Sequence, residues 1–89
     1  MAWTIKIEDS ALKELKKIDK INLRRILDFL SQRVAKLEDP RSIGQALQGA
    51  ELDNFWKYRV GDNRIICDIQ DSVLLVLVLR IGNRREIYR

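Results

Sequence analysis

Cationic side chains recur at alternate positions in the second half of the sequence. Lys57 and Arg59 are two residues apart, and Arg64 follows a short stretch of turn-forming residues, 61–63. Residues two apart on a β-strand lie on the same face of a sheet, so a strand here places Lys57 and Arg59 side by side. A tight turn brings Arg64 close to them. A sheet face with several cations and few acids is typical of a phosphate-binding surface.

Further cations follow toward the end of the chain, at positions 80, 84, 85 and 89, and Tyr88 lies beside the last of them. A tyrosine next to cations can stack on an unpaired base. The alternative interpretation of the same spacing is a solvated cationic face that binds nothing. The predicted RNA-binding residues are Lys57, Arg59, Arg64, Arg80, Arg85 and Arg89.

The chain contains no histidine and a single cysteine, Cys67. It therefore lacks the commonest general base and the commonest zinc ligand, and it cannot form an internal disulfide or a cysteine metal cluster. The acidic residues of the predicted helices are scattered and do not converge as metal-binding carboxylates do. We expect no metal site and no cofactor, and we interpret Cys67 as a small buried residue.

The composition is that of one small folded domain, which we expect to span residues 1–89. Of the 89 residues, 46% are hydrophobic and 34% are charged, and the net charge is +4. The longest apolar run, 73–79, is far shorter than the roughly 20 residues of a membrane-spanning helix. The first ten residues resemble neither a signal peptide nor a transit peptide. We expect a cytoplasmic protein that makes no contact with membranes.

The apolar pattern predicts two helices after an initial strand. Residues 2–8 alternate between apolar and polar side chains, as in a half-buried strand. A first helix is predicted from a cap at Asp9 or Ser10 to about Asp19, and a second from a cap at Asn22 to the region before Pro40. The short connection between the helices predicts an antiparallel αα-hairpin whose leucine stripes face the same sheet.

Three later segments predict an antiparallel meander. Residues 55–60, 64–70 and 73–80 are rich in β-branched and aromatic side chains and are separated by short turn sequences. We interpret residues 41–54 as a connection with at most a short extended piece at 45–47. Gly82 is expected to break the last strand, after which residues 85–88 add an optional short one. The expected fold is α+β, β-α-α-β-β-β(β), with the hairpin on one face of a four- to five-stranded, mainly antiparallel sheet and an open, basic opposite face.

Three stretches of this sequence resemble the RelE/ParE superfamily of bacterial toxins from toxin–antitoxin pairs. The most specific is residues 55–66, FWKYRVGDNRII, which is similar to the hairpin of that family. Residues 47–49, LQG, resemble its loop before the sheet, and residues 81–88, IGNRREIY, resemble its closing motif. The resemblance covers nearly the whole chain and implies a β-α-α-β-β-β toxin domain.

The resemblance also implies a function that depends on the branch of the family. RelE-type members are ribosome-dependent endoribonucleases that cut messenger RNA, whereas ParE-type members poison DNA gyrase and lack the nuclease residues. Metal-free RNA cleavage requires deprotonation of the 2′-hydroxyl, stabilisation of the phosphorane and protonation of the leaving 5′-oxygen. Positions that match the nuclease residues of the family carry suitable side chains throughout, and the implied catalytic set is Lys57, Arg59, Arg64, Arg84 and Tyr88.

Within that set we expect Lys57 to be the general base, because lysine can lose its proton near other cations whereas arginine almost never does. Arg59 and Arg64 would hold the phosphate, Arg84 would act at the leaving group and Tyr88 would orient the adjoining base. Arg59 stands where nuclease members often have a second lysine, so the identity of the base stays open.

The implied partners are messenger RNA at the ribosomal decoding site and a RelB-like antitoxin that covers the basic face. The resemblance further implies that the antitoxin complex binds operator DNA. Two alternatives remain from the sequence: a ParE-like gyrase inhibitor without nuclease activity, and an inactive RNA- or protein-binding module.

Overall fold

The structure is a computed structural model that describes residues 2–47 and 55–83. In these ranges the strands are β1 (Thr4–Ile7), β2 (Gln45–Ala46), β3 (Phe55–Val60), β4 (Asn63–Gln70) and β5 (Leu75–Asn83), and the α-helices are α1 (Asp9–Leu15) and α2 (Lys20–Asp28). The described strands form one sheet in the order β1-β5-β4-β3-β2. β1 runs parallel to β5, and the other neighbouring pairs are antiparallel. The predicted α+β class with a mainly antiparallel sheet is confirmed.

α1 follows β1 directly, but its start differs from the prediction. Glu8 is the N-cap residue and makes no side-chain capping hydrogen bond. The Ser10 hydroxyl donates instead to the carbonyl of Leu79 at 2.9 Å, so it links α1 to β5 rather than capping the helix. The helix also ends earlier than predicted, at Leu15, because the residues before Asp19 form a turn that leads into α2.

Asp19, rather than Asn22, caps α2. The Asp19 carboxylate accepts hydrogen bonds from the backbone N–H of Asn22 at 3.2 Å and from its side-chain amide at 2.7 Å, and these bonds lower the pKa of Asp19. The predicted cap at Asn22 is therefore wrong by one turn, because Asn22 donates to the cap. After α2 the backbone continues as a π-helical segment, Phe29–Arg33, and a 3₁₀ turn, Val34–Lys36.

The core lies between the helices and one face of the sheet. Ala11 and Leu15 of α1 and Ile26 of α2 are buried there, in contact with strand residues. Leu12 and Leu27, which the sequence assigns to the inward stripes, are 42% and 40% exposed, since neighbouring residues occupy the inward positions. The sheet residues of this core are Tyr58, Val60, Ile65, Cys67, Ile69, Val76, Val78 and Ile81.

The chain between the helices and β2 is attached to the sheet by aromatic donors. The Trp3 indole donates to the carbonyl of Glu38 at 3.1 Å, the buried Tyr58 hydroxyl donates to Pro40 at 2.7 Å, and the Trp56 indole donates to Ile43 at 2.7 Å. Each of these donors has an apolar body in or against the core. The aromatic residues of β3 therefore fix the path of this connection as well as filling the core.

Gly44 ends this connection at a point of close approach to β3. Its φ is +81°, and a β-carbon there would lie 2.5 Å from the Lys57 carbonyl oxygen. The next residues form β2, in which Gln45 pairs with Lys57 and Ala46 with Trp56. The short extended piece predicted at 45–47 is thus the edge strand of the described sheet.

The sequence predicts that Gly82 ends the last strand, but β5 continues to Asn83. Gly82 pairs with Arg64 and Asn83 with Asn63 in the β4–β5 ladder, which contains a one-residue bulge at Leu79. Pairing with β4 compensates for the low strand preference of glycine. The optional strand predicted at residues 85–88 lies outside the described residues.

Neither α-helix of the described ranges is long and apolar enough to span a membrane.

Candidate nucleic-acid interface

Three of the cations that the sequence singled out lie together on the sheet face opposite the helices. Arg59 of β3 is directly opposite Arg64 of β4, and Lys57 is directly opposite Ile66. Opposed residues of an antiparallel pair point to the same face, and residues two apart on a strand do too. The intervening residue of β3, Tyr58, is buried on the helix side. We call Lys57, Arg59 and Arg64 the cation triad.

The members of the cation triad differ in exposure. Arg59 is exposed, and its Nε donates to the Gly61 carbonyl at 3.2 Å. Arg64 is half-buried, and its Nη1 lies 3.5 Å from the Asn63 carbonyl. Lys57 is half-buried within the sheet, between β2 and β4. The triad is therefore accessible from one side.

The direct opposition of Arg59 and Arg64 is unfavourable for the isolated chain. Like charges placed opposite each other across a strand pair repel. Neither guanidinium forms an ion pair with a carboxylate of the described residues. An anion bound between them would relieve this repulsion, and a phosphodiester accepts hydrogen bonds from two guanidinium groups at once.

On β3 and β4 the open face is basic only toward the turn that joins them. Farther from the turn, Phe55 opposes Asp68, which in turn opposes Leu77. Phe55 and Leu77 are half-buried, and Ile66 beside the triad is only 8% exposed. The face thus divides into a cationic end and an apolar end, whereas the sequence predicted a basic surface throughout.

Arg80 lies in the same cross-strand row as Lys57 but is engaged elsewhere. It is opposite Ile66 in the β4–β5 ladder, and its guanidinium donates to the two carboxylate oxygens of Glu14 at 3.0 and 3.3 Å. This contact raises the pKa of Arg80, and Glu14 also accepts from the backbone N–H of Ile81 at 3.2 Å. The structure therefore separates Arg80 from the triad, which the sequence did not indicate because Glu14 lies 66 residues earlier.

The remaining predicted site residues lie outside the described residues. These are Arg84, Arg85, Tyr88 and Arg89. Asn83, the last described residue of β5, is opposite Asn63, next to Arg64. The roles of the four residues in catalysis and RNA binding stay predictions.

A cleft of about 350 Å³ lies at the same end of the sheet, between the helices, the β3–β4 turn and the end of β5. Its charged lining consists of Glu14, Asp19 and Asp62 against Lys17. Carboxylates outnumber cations there, so the cleft is unsuited to a polyanion. Among the described residues no group of three or more metal-ligating side chains is arranged to hold an ion.

α2 contributes a cation that sequence reasoning missed. The guanidinium of Arg25 lies over the β3–β4 turn, where a β-carbon on Gly61 would be 3.4 Å from Arg25 Nη1. In the sequence Arg25 is one of several charged residues flanking the apolar stripe of α2. Helical periodicity gives no sign of which of these reaches the sheet.

Comparison with known proteins identifies the family. Over residues 5–88 the sequence matches the family described as the ParE toxin of type II toxin–antitoxin system, parDE. The chain belongs to this toxin family. It is also 27% identical over 89 residues to Toxin RelG of Mycobacterium tuberculosis, covering 100% of this chain and 99% of that relative. The resemblance to the RelE/ParE superfamily is confirmed, and this chain is a toxin of the type II toxin–antitoxin class.

Solved structures of RelE toxins share the fold of this RelE/ParE toxin. It is similar to a chain of the RelBE2 toxin–antitoxin complex from Mycobacterium tuberculosis, with a TM-score of 0.84, 24% identity, and coverage of 94% of this chain and 93% of that one. A mutant of E. coli toxin RelE in the free state gives a TM-score of 0.77 at 24% identity, covering 99% and 92% of the two chains. These likenesses show a RelE-like fold.

Proposed function

We propose that this toxin is a RelE-type endoribonuclease that cleaves messenger RNA on the ribosome without a metal ion. The observation that carries the proposal is the cation triad, in which Arg59 and Arg64 face each other beside Lys57. A phosphorane carries more negative charge than the phosphodiester from which it forms. Cations fixed on neighbouring strands therefore stabilise the transition state more than the ground state.

Each member of the triad has a role in this proposal. Arg59 and Arg64 bind the scissile phosphate, and Lys57 removes the proton of the 2′-hydroxyl, since arginine keeps its own proton under all ordinary conditions. Arg84 stabilises the negative charge that develops on the leaving 5′-oxygen, which takes its proton from water, and Tyr88 stacks on the adjoining base. The backbone of β3 and β4 holds the triad, so the protein does not reorganise when the charge develops.

The open face also supports an antitoxin partner. The solved relative from Mycobacterium tuberculosis is a complex of toxin and antitoxin. We infer that a RelB-like antitoxin covers the face of this toxin, with acidic residues over the triad and apolar residues over Phe55 and Leu77. We further propose that residues 1–89 form a single domain and that the toxin acts in the cytoplasm. Its complex with the antitoxin would bind operator DNA.

A ParE-like inhibitor of DNA gyrase is the second candidate. It is favoured by one observation, namely that the matching family is described as the ParE toxin. On this hypothesis the cations contact a protein or DNA surface, and no bond is cleaved by the toxin itself. The fold alone does not distinguish the two activities, because proteins with this fold have either one.

The two candidates differ in what happens to nucleic acids in growing cells. Induction of the chain in bacteria, followed by mapping of messenger RNA 5′ ends, is expected to show cuts in phase with codons while chromosomal DNA stays intact. DNA breaks with intact messages would replace the nuclease proposal with gyrase inhibition. If neither messages nor DNA are cut, the chain is a binding module without either activity.

A further inference from the structure

Two guanidinium groups from different elements meet at the glycine of the β3–β4 turn. Arg59 of β3 donates through Nε to the Gly61 carbonyl at 3.2 Å. Arg25 of α2 lies on another side of the same residue, where a β-carbon would be 3.4 Å from Nη1 and 3.7 Å from Nη2. The guanidinium of Arg25 is therefore within contact distance of the turn.

The turn that creates this arrangement is tightly specified. Val60 pairs with Asn63, so the loop has two residues, Gly61 and Asp62. Gly61 has φ +61°, whereas Asp62 has a negative φ, which is the pattern of a type II′ turn with glycine first. The positive φ favours glycine at this position, whereas a β-carbon there would make only an ordinary contact with the end of the Arg25 side chain.

The surroundings of the two arginines lack a compensating anion among the described residues. The Arg25 side chain is exposed and forms no hydrogen bond or ion pair with any residue of the described ranges. Asp62 in the turn is exposed and forms no ion pair with either arginine. Like charges brought together on two rigid elements repel, and an anion that bridges them removes that cost.

We propose that Arg25 and Arg59 form a second phosphate-binding pair around Gly61, in which Arg59 lies between the scissile phosphate and the next phosphate of the RNA and contacts both. The inference rests on the proposed nuclease function and extends it by one contact. Gly61 is four residues from Lys57 along the chain, so the second phosphate lies on the order of 13 Å from the base at the strand rise of about 3.3 Å per residue. The RNA would then follow β3 toward the helix layer.

The occupant is RNA rather than an acidic protein segment. The cations follow one another along β3 and onto α2, as the repeating phosphates of a single strand require. Stable protein contacts need an apolar centre. The exposed turn residues Gly61 and Asp62 offer none, and the apolar part of the open face lies at its other end.

The test compares Arg25→Gln with Arg24→Gln, a matched control. Both arginines are exposed and adjacent on α2, and each substitution removes one positive charge. Each full-length variant is titrated with a short single-stranded RNA bearing 2′-O-methyl groups, which prevent cleavage, at several salt concentrations. Arg25→Gln should weaken binding about three- to tenfold and reduce the slope of log K against log salt by about 0.7, the value for one phosphate contact. Arg24→Gln should leave the slope unchanged.

A second measurement locates the contact. At equal saturation with the RNA, the backbone N–H resonance of Gly61 should shift less in Arg25→Gln than in the parent or in Arg24→Gln, where the contact of Arg25 with the phosphate is retained. Equal losses of affinity in both variants would overturn the inference, since they would indicate diffuse attraction, and the nuclease proposal would be unaffected. If Arg25→Gln loses binding to polyglutamate but keeps its binding to RNA, the inference is also overturned, because Arg25 would then contact an acidic protein segment. If the parent protein binds no RNA, the proposed function fails and the second pair fails with it.

Discussion

Replacement of Lys57, a member of the cation triad, should impair RNA cleavage without impairing folding. It is a half-buried strand residue on the open face, away from the core between helices and sheet. We expect Lys57→Ala and Arg84→Ala to keep a native circular-dichroism spectrum and antitoxin binding. Message cleavage should fall on the order of 10²-fold or more, as after the removal of a general base or a charge-stabilising group. The measurement is the rate of cleavage of ribosome-bound message.

Lys13→Ala is the matched control, because Lys13 is an exposed cation of α1. Arg41, which lies outside the triad, is less suitable, since its guanidinium binds both carboxylate oxygens of Asp71 at 2.9 Å. If Lys57→Ala and Arg84→Ala fold and remain as toxic as the parent, the nuclease assignment is wrong.

Cys67 is held in the core, where burial raises the pKa of its thiol from 9.0 to about 12. Burial likewise raises the pKa of Tyr58. An acid whose pKa is raised by folding ionises first in the unfolded chain, so the unfolded state binds fewer protons than the folded state at alkaline pH. The free energy of unfolding must then fall as the pH rises above the pKa of the unfolded thiol.

We expect the stability of this toxin to decrease above about pH 9, by up to about 1.4 kcal/mol per pH unit for the thiol alone. Urea unfolding at a series of pH values measures this slope. Below about pH 9, Cys67→Ala lowers the free energy of unfolding because it leaves a small cavity, but its slope between about pH 9 and 10 should be shallower than that of the parent. Parallel slopes for the two proteins would show that the thiol ionises normally in the folded chain.

The connection before β2 and the β3–β4 turn each contain a glycine with positive φ, but they tolerate a side chain to different extents. A β-carbon at Gly44 would lie 2.5 Å from the Lys57 carbonyl, whereas one at Gly61 would meet the end of the Arg25 side chain at 3.4 Å. Backbone of a central hairpin cannot move away without disturbing its pairing, while an exposed side chain can.

We therefore expect Gly44→Ala to lower the free energy of unfolding by about 3 kcal/mol, the sum of overpacking and backbone strain. Gly61→Ala should cost about 1–2 kcal/mol, which is the strain alone. Urea denaturation of both variants provides the comparison. Equal losses would mean that β2 can detach from β3 without cost.

The sequence predicted these elements well where a periodic pattern decides them. β3 has the predicted bounds, and the predicted alternation places Lys57 and Arg59 on one face. The predictions were wrong at the ends of helices and strands, where a single hydrogen bond determines the boundary. Asp19 rather than Asn22 caps α2, because either residue type can cap a helix and the local hydrogen bond between the two determines which one does. β5 continues through Gly82 because this residue pairs with Arg64 of β4.

The site was predictable to the same extent. Strand alternation and a short turn were enough to bring Lys57, Arg59 and Arg64 together. The pairing of Arg80 with Glu14 and the approach of Arg25 to the turn depend on how the helices pack across the sheet, which no local pattern encodes.

At the scale of the whole molecule, the composition bears on the reaction. The chain has no histidine, and its one cysteine is buried. Catalysis by a resident ion would therefore need converging carboxylates. We expect message cleavage to survive chelator added after the ribosome complex has assembled, with cobalt hexammine present to maintain the ribosome. Loss of cleavage under those conditions, with recovery on addition of a divalent ion, would contradict the metal-free mechanism.

The parallel pairing of β1 with β5 determines when the toxin can fold during its own synthesis. Thr4 pairs with Leu75 and Ile7 with Val78. The first strand to be synthesised therefore cannot pair until the last described strand has been synthesised. Contacts this far apart in the chain form late and slowly. Translation must pass residue 78 before the sheet can close, so until then the β3–β4 hairpin that carries the cation triad lacks the complete sheet that supports it. An antitoxin that recognises the closed sheet would therefore act only on toxin chains whose synthesis has passed β5.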